Sequence, residues 1–262
     1  MKKNIIKLLL CIICFGVAIA SNHYAGPSIL EKKHRFLLCM SSFKRPIFVS
    51  GQIFRFMNQT YQNFDISLSL KGVDESWSRL TFEKEWKQLR KDGRLILRYD
   101  PNRRQLSNLL DTVRDVDLSK YDYFCKIDDD DWYAPEYLES INTELNKTGA
   151  ADITYTTSTY ILTEDVNKTN MQLNNTDLSG PTMCYSRKII ELALEIEKYP
   201  EQIQKWMPNE SISLSFIKED RFLHLLARYK GRERSRQLME PLVIYGWQYR
   251  SVMRNYNYVN IK

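Results

Sequence analysis

The stretch Tyr121-Asp-Tyr-Phe-Cys-Lys-Ile127 runs directly into four consecutive aspartates, Asp128, Asp129, Asp130 and Asp131, and then into Trp132-Tyr-Ala-Pro135. The first seven residues read as a buried strand. Pro135 suits the early turn of a following helix, which the pattern carries to Leu145. Four adjacent carboxylates repel one another, and as a bare charge run they would make a solvated turn. At the end of a buried strand they call for a cation. Hard oxygen ligands suit Mg²⁺ or Mn²⁺, ions that keep coordination positions open for substrate phosphates. The alternating acids, glycine and distal glutamate of a calcium-binding helix-loop-helix are absent.

Upstream, Arg35-Phe-Leu-Leu-Cys-Met40 is a continuous apolar run, as expected of a strand buried on both faces of a parallel sheet. Residues 41–46 read as a loop and 47–58 as a helix whose apolar side packs on that strand. Asp65-Ile-Ser-Leu-Ser-Leu70 alternates and reads as a second strand. A helix over 77–89, a strand over 95–99 and a helix over 106–116 follow. Beyond the aspartates, 153–162 reads as a strand or hairpin and 164–177 as a polar loop. Amphipathic helices are expected over 187–198 and 220–229. This alternation predicts an α/β fold with a doubly wound, mostly parallel central sheet flanked by helices and a less regular C-terminal half. Ligands of such sheets bind at the carboxyl ends of the strands, where the aspartates fall.

The 262 residues suit one sizeable domain. Apolar content of 43% and charged content of 27% exclude a disordered or fibrous chain. The net charge of +6 favours anionic partners, such as a diphosphate or an anionic lipid headgroup. The basic residues form no helical stripe and no nucleic-acid-binding motif is present, so nucleic acid is not an expected partner.

Lys2, Lys3 and Lys7 precede an apolar run from Leu8 to Ala20 that ends Ala18-Ile-Ala20, the layout of a secretory signal. Residues 1–20 are thus expected to be a signal peptide or a signal anchor, and 21–33 a polar linker around Gly26-Pro27. The expected location is the secretory pathway, or association with a membrane through the N-terminus. Because nucleotide-sugars are cytosolic in bacteria, the cytoplasmic membrane face is left open. Five cysteines with no second Cys-x-x-Cys pair give neither a disulfide framework nor a zinc site. Cys39, Cys125 and Cys184 are expected to be buried thiols.

Several segments resemble glycosyltransferase family 2. Asn58-Gln-Thr-Tyr-Gln-Asn-Phe-Asp-Ile66 resembles that family's first helix-to-strand connection, and Ile127-Asp-Asp-Asp-Asp-Trp-Tyr-Ala-Pro135 its Asp-x-Asp metal motif. Residues 41–46 sit where the family has its first nucleotide-contacting loop. Gly180-Pro-Thr-Met-Cys-Tyr-Ser-Arg187 resembles the acceptor-side strand and loop, Lys218-Glu-Asp220 the catalytic Glu-Asp segment, and Glu240-Pro-Leu-Val-Ile-Tyr245 the C-terminal strand. The resemblance implies a single GT-A domain over 34–262, with a nucleotide-sugar-binding half at 34–132 and an acceptor half at 133–262.

It also implies roles. Asp130 and Asp128 would hold Mn²⁺ or Mg²⁺, with Asp128 and Asp129 also at the nucleotide-sugar. Ser41, Phe43, Arg45 and Asp74 would contact the donor. Asp220 would be the general base, assisted by Glu219, for an inverting transfer from a UDP-linked sugar to a glycan, lipid or protein hydroxyl. Apart from the resemblance, Arg103, Arg104, Arg250 and Arg254 are candidate diphosphate contacts, because guanidinium forks match phosphate oxygens. Two departures stand out. Lys71-Gly-Val-Asp74 replaces the acidic pair expected after the second strand, and Gly246-Trp-Gln-Tyr-Arg250 lacks the histidine many relatives carry. They point to a second reading, a secreted, non-catalytic protein that keeps the fold and binds carbohydrate or a partner, but the intact Asp-x-Asp and Glu-Asp favour catalysis more. A nucleotidyltransferase would need a glycine-rich phosphate loop near the first strand, which is missing.

Overall fold

Phe36–Phe43 (β1) begins with five buried residues, Phe36 to Met40, and its chain neighbours in space are two more buried strands. Phe64–Lys71 (β2) and Tyr123–Ile127 (β4) flank it in parallel, with Phe36 opposite Phe64 on one side and Tyr123 on the other. Leu95–Asp100 (β3) adds to β2, again in parallel. The computed structural model describes residues 32–72, 83–100, 109–148, 151–156, 158–165, 168–175, 183–199, 222, 223, 226, 235–238 and 243–245. Three more described strands, Ile153–Thr156 (β6), Cys184–Ser186 (β9) and Ser235–Leu238 (β10), complete a seven-stranded sheet of order β10-β6-β9-β4-β1-β2-β3. Within it only β9 runs against its neighbours. The expected mostly parallel α/β sheet is therefore present.

Helices cover both faces. Pro46–Met57 (α1), Glu83–Lys91 (α2) and Tyr137–Thr148 (α4) supply Val49, Ile53, Phe56, Trp86, Leu89, Leu138 and Ile141 to one apolar cluster, with Phe36, Leu38 and Met40 of β1. Leu109–Val113 (α3) and Arg187–Lys198 (α5) pack on the other face, where Leu37 and Cys39 meet Leu109, Ile189, Ile190 and Ala193. Phe222, Leu223 and Leu226 join this second cluster. Successive β1 residues thus point to opposite helical layers, the reason that strand reads as continuously apolar. Each fully buried Leu, Ile or Phe contributes roughly 1.5–3 kcal/mol.

Several boundaries differ from the sequence reading. The strand ending at Met40 continues through Phe43, and α1 starts at Pro46, so the expected loop shrinks to Lys44 and Arg45. The alternating strand, read from its polar positions, is buried on both faces, because those positions have partners. Asp65 pairs with Arg35 and accepts from the Tyr121 hydroxyl, Ser67 donates to the Thr112 carbonyl, and Lys71 pairs with Asp111. The polar loop expected over 164–177 contains a strand. Lys168–Asn175 (β8) pairs antiparallel with Ser158–Asp165 (β7), from Ser158 opposite Asn175 to Asp165 opposite Lys168. With Trp132–Tyr133 (β5) and Val243–Tyr245 (β11) they form a second sheet, β5-β11-β7-β8.

The cysteine reading is corrected as well. Cys125 of β4 and Cys184 of β9 stand opposite each other and form a disulfide, their Cα atoms 3.9 Å apart and 59 residues apart in sequence. Local apolarity marked both as buried, but only the antiparallel insertion of β9 beside β4 brings the thiols together. Cys39 is buried and lies outside the disulfide. No helix among the described residues is long and apolar enough to cross a membrane.

Candidate active site

The chain lays down β1, β2 and β3 outward in one direction, then returns to place β4 on the other side of β1. Between β1 and β4 the strand order reverses, and the crevice outside their carboxyl ends is where open α/β sheets bind ligands. β1 delivers Ser41, Ser42 and Phe43 there, the β1–α1 turn delivers Arg45, and β4 delivers the four aspartates.

The aspartates are not equivalent. One carboxylate oxygen each from Asp128, Asp130 and Asp131 lies within 4.8 Å of the others, a set that could hold a metal ion. Asp131 is buried, and the side chains of Asp128 and Asp130 are 15% and 5% exposed. Asp129 is turned into the protein, 1% exposed, where its carboxylate accepts from the Ser42 hydroxyl at 2.5 Å and pairs with Arg45 Nη2. Arg45 Nη1 also reaches Asp130 Oδ2 at 2.9 Å. Lys126 Nζ is 4.0 Å from Asp128 Oδ1. Burial, reinforced by the neighbouring charges of Asp130 and Asp128, raises the Asp129 carboxyl to about 7 against the opposing pull of Arg45 and Ser42. Hard oxygens clustered this closely fit Mg²⁺ or Mn²⁺.

The turn that carries them is braced from behind. The fully buried Gln52 amide of α1 donates to the carbonyls of both Asp128, at 2.9 Å, and Asp131. The Asp128 amide donates to the Tyr133 hydroxyl at 3.0 Å, and Tyr133 is itself buried. Gln59, in the family-like Asn58–Ile66 connection, donates to the Ala134 carbonyl at 2.6 Å and accepts from the Leu138 amide at 3.1 Å. That connection therefore holds the segment just after the aspartates. Gly72, the residue after β2, has φ of 70°, and a Cβ there would come within 2.5 Å of the Phe43 ring. Only glycine permits that approach.

Ser41, Phe43, Arg45, Asp128, Asp129 and Asp130 thus gather at the ends of two adjacent strands. Asp74, Arg103, Glu219 and Asp220 lie outside the described residues, as do Arg104, Arg250 and Arg254. The sequence reading missed three contributors. Asp131 was present in the run but not assigned to the metal. Ser42 carried no local signal. Gln52 did: Val49, Gln52, Ile53 and Phe56 follow helical core spacing, and a glutamine in that stripe must find a partner.

No family model matches the chain, and no curated protein matches it in sequence. Solved structures do match in fold. The mannosyltransferase PcManGT from Pyrobaculum calidifontis, in complex with GDP-Man and Mn²⁺, superposes with a TM-score of 0.54 over 91% of this chain at 10% identity. The fold is of the GT-A type. TarS 1-349 from S. aureus, in complex with UDP-GlcNAc, gives a TM-score of 0.53 over 81% of the chain, also at 10% identity. This chain spans 64% of the first structure and 58% of the second.

Proposed function

We propose that the protein is a metal-dependent, inverting glycosyltransferase that moves a sugar from a nucleotide-sugar to an acceptor hydroxyl. The observation that carries this reading is the carboxylate triad at the β1/β4 reversal of a GT-A fold. Asp128, Asp130 and Asp131 would hold Mn²⁺ or Mg²⁺, which supplies Lewis-acid neutralisation of the leaving diphosphate. Ser41 and Phe43, at the β1 end, would contact the nucleoside, and Asp74 and Arg103 would complete the donor contacts. Asp220 would take the acceptor proton as that oxygen attacks the anomeric carbon, breaking its bond to the diphosphate and inverting the centre. Phe222, Leu223 and Leu226, buried in the core two to six residues after Asp220 in sequence, support this role. The donor is proposed to be UDP-linked, and the acceptor a glycan, lipid or protein hydroxyl.

The location proposed is the secretory pathway or a membrane reached through residues 1–20. The Cys125–Cys184 disulfide supports it, because disulfides persist in oxidising compartments. A screen of UDP- and GDP-sugars by thermal shift with Mn²⁺, followed by product analysis, tests the reading, since a bound donor raises the melting temperature by mass action. Asp220→Asn should keep donor affinity and slow transfer by about 10²–10⁴-fold. Binding without transfer to any acceptor, together with no metal-dependent donor hydrolysis, would favour the non-catalytic carbohydrate-binding reading instead.

A further inference from the structure

Arg45 already occupies the carboxylate cluster as a cation. Its guanidinium forks, with Nη2 on Asp129 and Nη1 on Asp130 at 2.9 Å. The two arms are chemically unequal. Asp129 is outside the metal-competent triad and fixed by the Ser42 hydroxyl, whereas Asp130 is inside the triad. The side chains of Asp129 and Asp130 are 1% and 5% exposed, so solvent screens these charges poorly. The fork is placed by a dedicated turn. Lys44 adopts a φ of 52°, uncommon for a residue with a side chain, and Pro46 starts α1 immediately after Arg45. The Arg45 guanidinium also lies over the Phe48 ring at 5.8 Å.

We propose that Arg45 is a built-in counter-cation that a divalent ion displaces from Asp130. Metal entry then frees the Nη1 edge for the donor diphosphate while Nη2 stays on Asp129. The inference rests on the metal-binding part of the proposed function. It follows from the shared carboxylate: a dication at the triad and the guanidinium on Asp130 Oδ2 would be two like charges held on one carboxylate with a side chain 5% exposed. A residue that opposes the metal alone and then binds the phosphates makes metal and donor binding mutually dependent. Guanidinium suits both tasks, because its planar fork matches carboxylate and phosphate oxygens alike.

The test is Mn²⁺ titration of the full chain by calorimetry without nucleotide, then UDP titration at saturating Mn²⁺. Arg45→Gln should bind Mn²⁺ at least about tenfold more tightly than the parent, and UDP at least about tenfold more weakly. Arg45→Lys, which keeps the charge, should leave the affinity for Mn²⁺ alone near the parental value. A merely structural role would weaken both ligands together, and that result overturns the proposal. So does an unchanged Mn²⁺ affinity in Arg45→Gln. If neither chain binds Mn²⁺, the metal reading itself fails and this inference with it. Should the variants not fold, the parent still decides: Mn²⁺ should increase modification of Arg45 by phenylglyoxal, followed by peptide mass spectrometry. Unchanged or reduced labelling overturns the proposal.

Discussion

At the end of β2, Lys71 and Asp111 face each other at 2.8 Å with side chains 2% and 5% exposed. At the end of β4, two strands away, oxygens of Asp128, Asp130 and Asp131 crowd within 4.8 Å of one another. Both clusters lie at the carboxyl ends of strands in the same sheet, yet the first pairs one acid with two cations, whereas the second sets four aspartates against Arg45 and Lys126 and so keeps an excess of acid. The first satisfies itself: Arg114 adds a second contact to Asp111 at 3.3 Å. The second gains from any added cation, so its arrangement makes sense as a site rather than as a support. Lys71, which stands where the sequence resemblance expects an acidic base-binding pair, belongs to the first kind.

That contrast gives opposite expectations for removing one acid from each cluster. Asp111→Ala leaves the Lys71 ammonium buried without this carboxylate, and breaking a buried pair from one side costs about 3–5 kcal/mol. Chemical denaturation should show a larger loss of stability for this substitution than for any change at the aspartates, the disulfide or Gln52. A midpoint within error of the parent would mean that Lys71 is satisfied from elsewhere, and the two clusters would no longer differ in kind.

Removing the disulfide should come next. Cys125→Ala with Cys184→Ala frees a loop of 59 residues between the strand bearing the aspartates and its antiparallel neighbour, and about 2–4 kcal/mol is expected. Reduction of the parent should give a comparable shift in melting temperature. Equal stability with and without reductant would remove the support that the disulfide lends to an oxidising location. Below that stands Gln52→Leu, which leaves the Asp128 and Asp131 carbonyls without this donor. A loss of about 1–3 kcal/mol is expected, together with weaker Mn²⁺ binding, as the turn holding the carboxylates loosens. Weakened stability with unaltered Mn²⁺ affinity would make Gln52 a core residue and nothing more.

How far the sequence disclosed this depends on whether the cause was local. The buried parallel strands and their helices were legible because continuous apolar runs and helical spacing are local signals, and the aspartates stood out because like charges seldom cluster at a strand end. β8 was not legible. Its sequence, Lys168-Thr-Asn-Met-Gln-Leu-Asn-Asn175, lacks the β-branched and aromatic residues of a strand apart from Thr169, and its conformation comes from pairing with β7. The disulfide needed knowledge of which strand lies beside β4, and Asp131 needed the curl of the turn. Gln52 is the instructive case, because a polar residue in an apolar stripe announces a partner without naming it.

Asp130→Ala should change stability least and function most. Two effects oppose each other in the folded protein. The substitution removes a carboxylate from among like charges, which is favourable, and it removes one arm of the Arg45 fork, which is not. Arg45 keeps Asp129, so no guanidinium is left buried without a carboxylate, and the large penalty foreseen for Lys71 does not arise. The two terms should cancel to within about 1 kcal/mol, of either sign. Mn²⁺-dependent donor binding, by contrast, should disappear, since the triad loses a ligand that no neighbour can replace. Measured side by side, denaturation and donor titration in the presence of Mn²⁺ separate the two outcomes. A folded Asp130→Ala variant with undiminished Mn²⁺-dependent binding would sink the metal assignment. A stability loss as large as that of Asp111→Ala would instead show that the acidic turn, like the Lys71–Asp111 pair, is held together by its own charges.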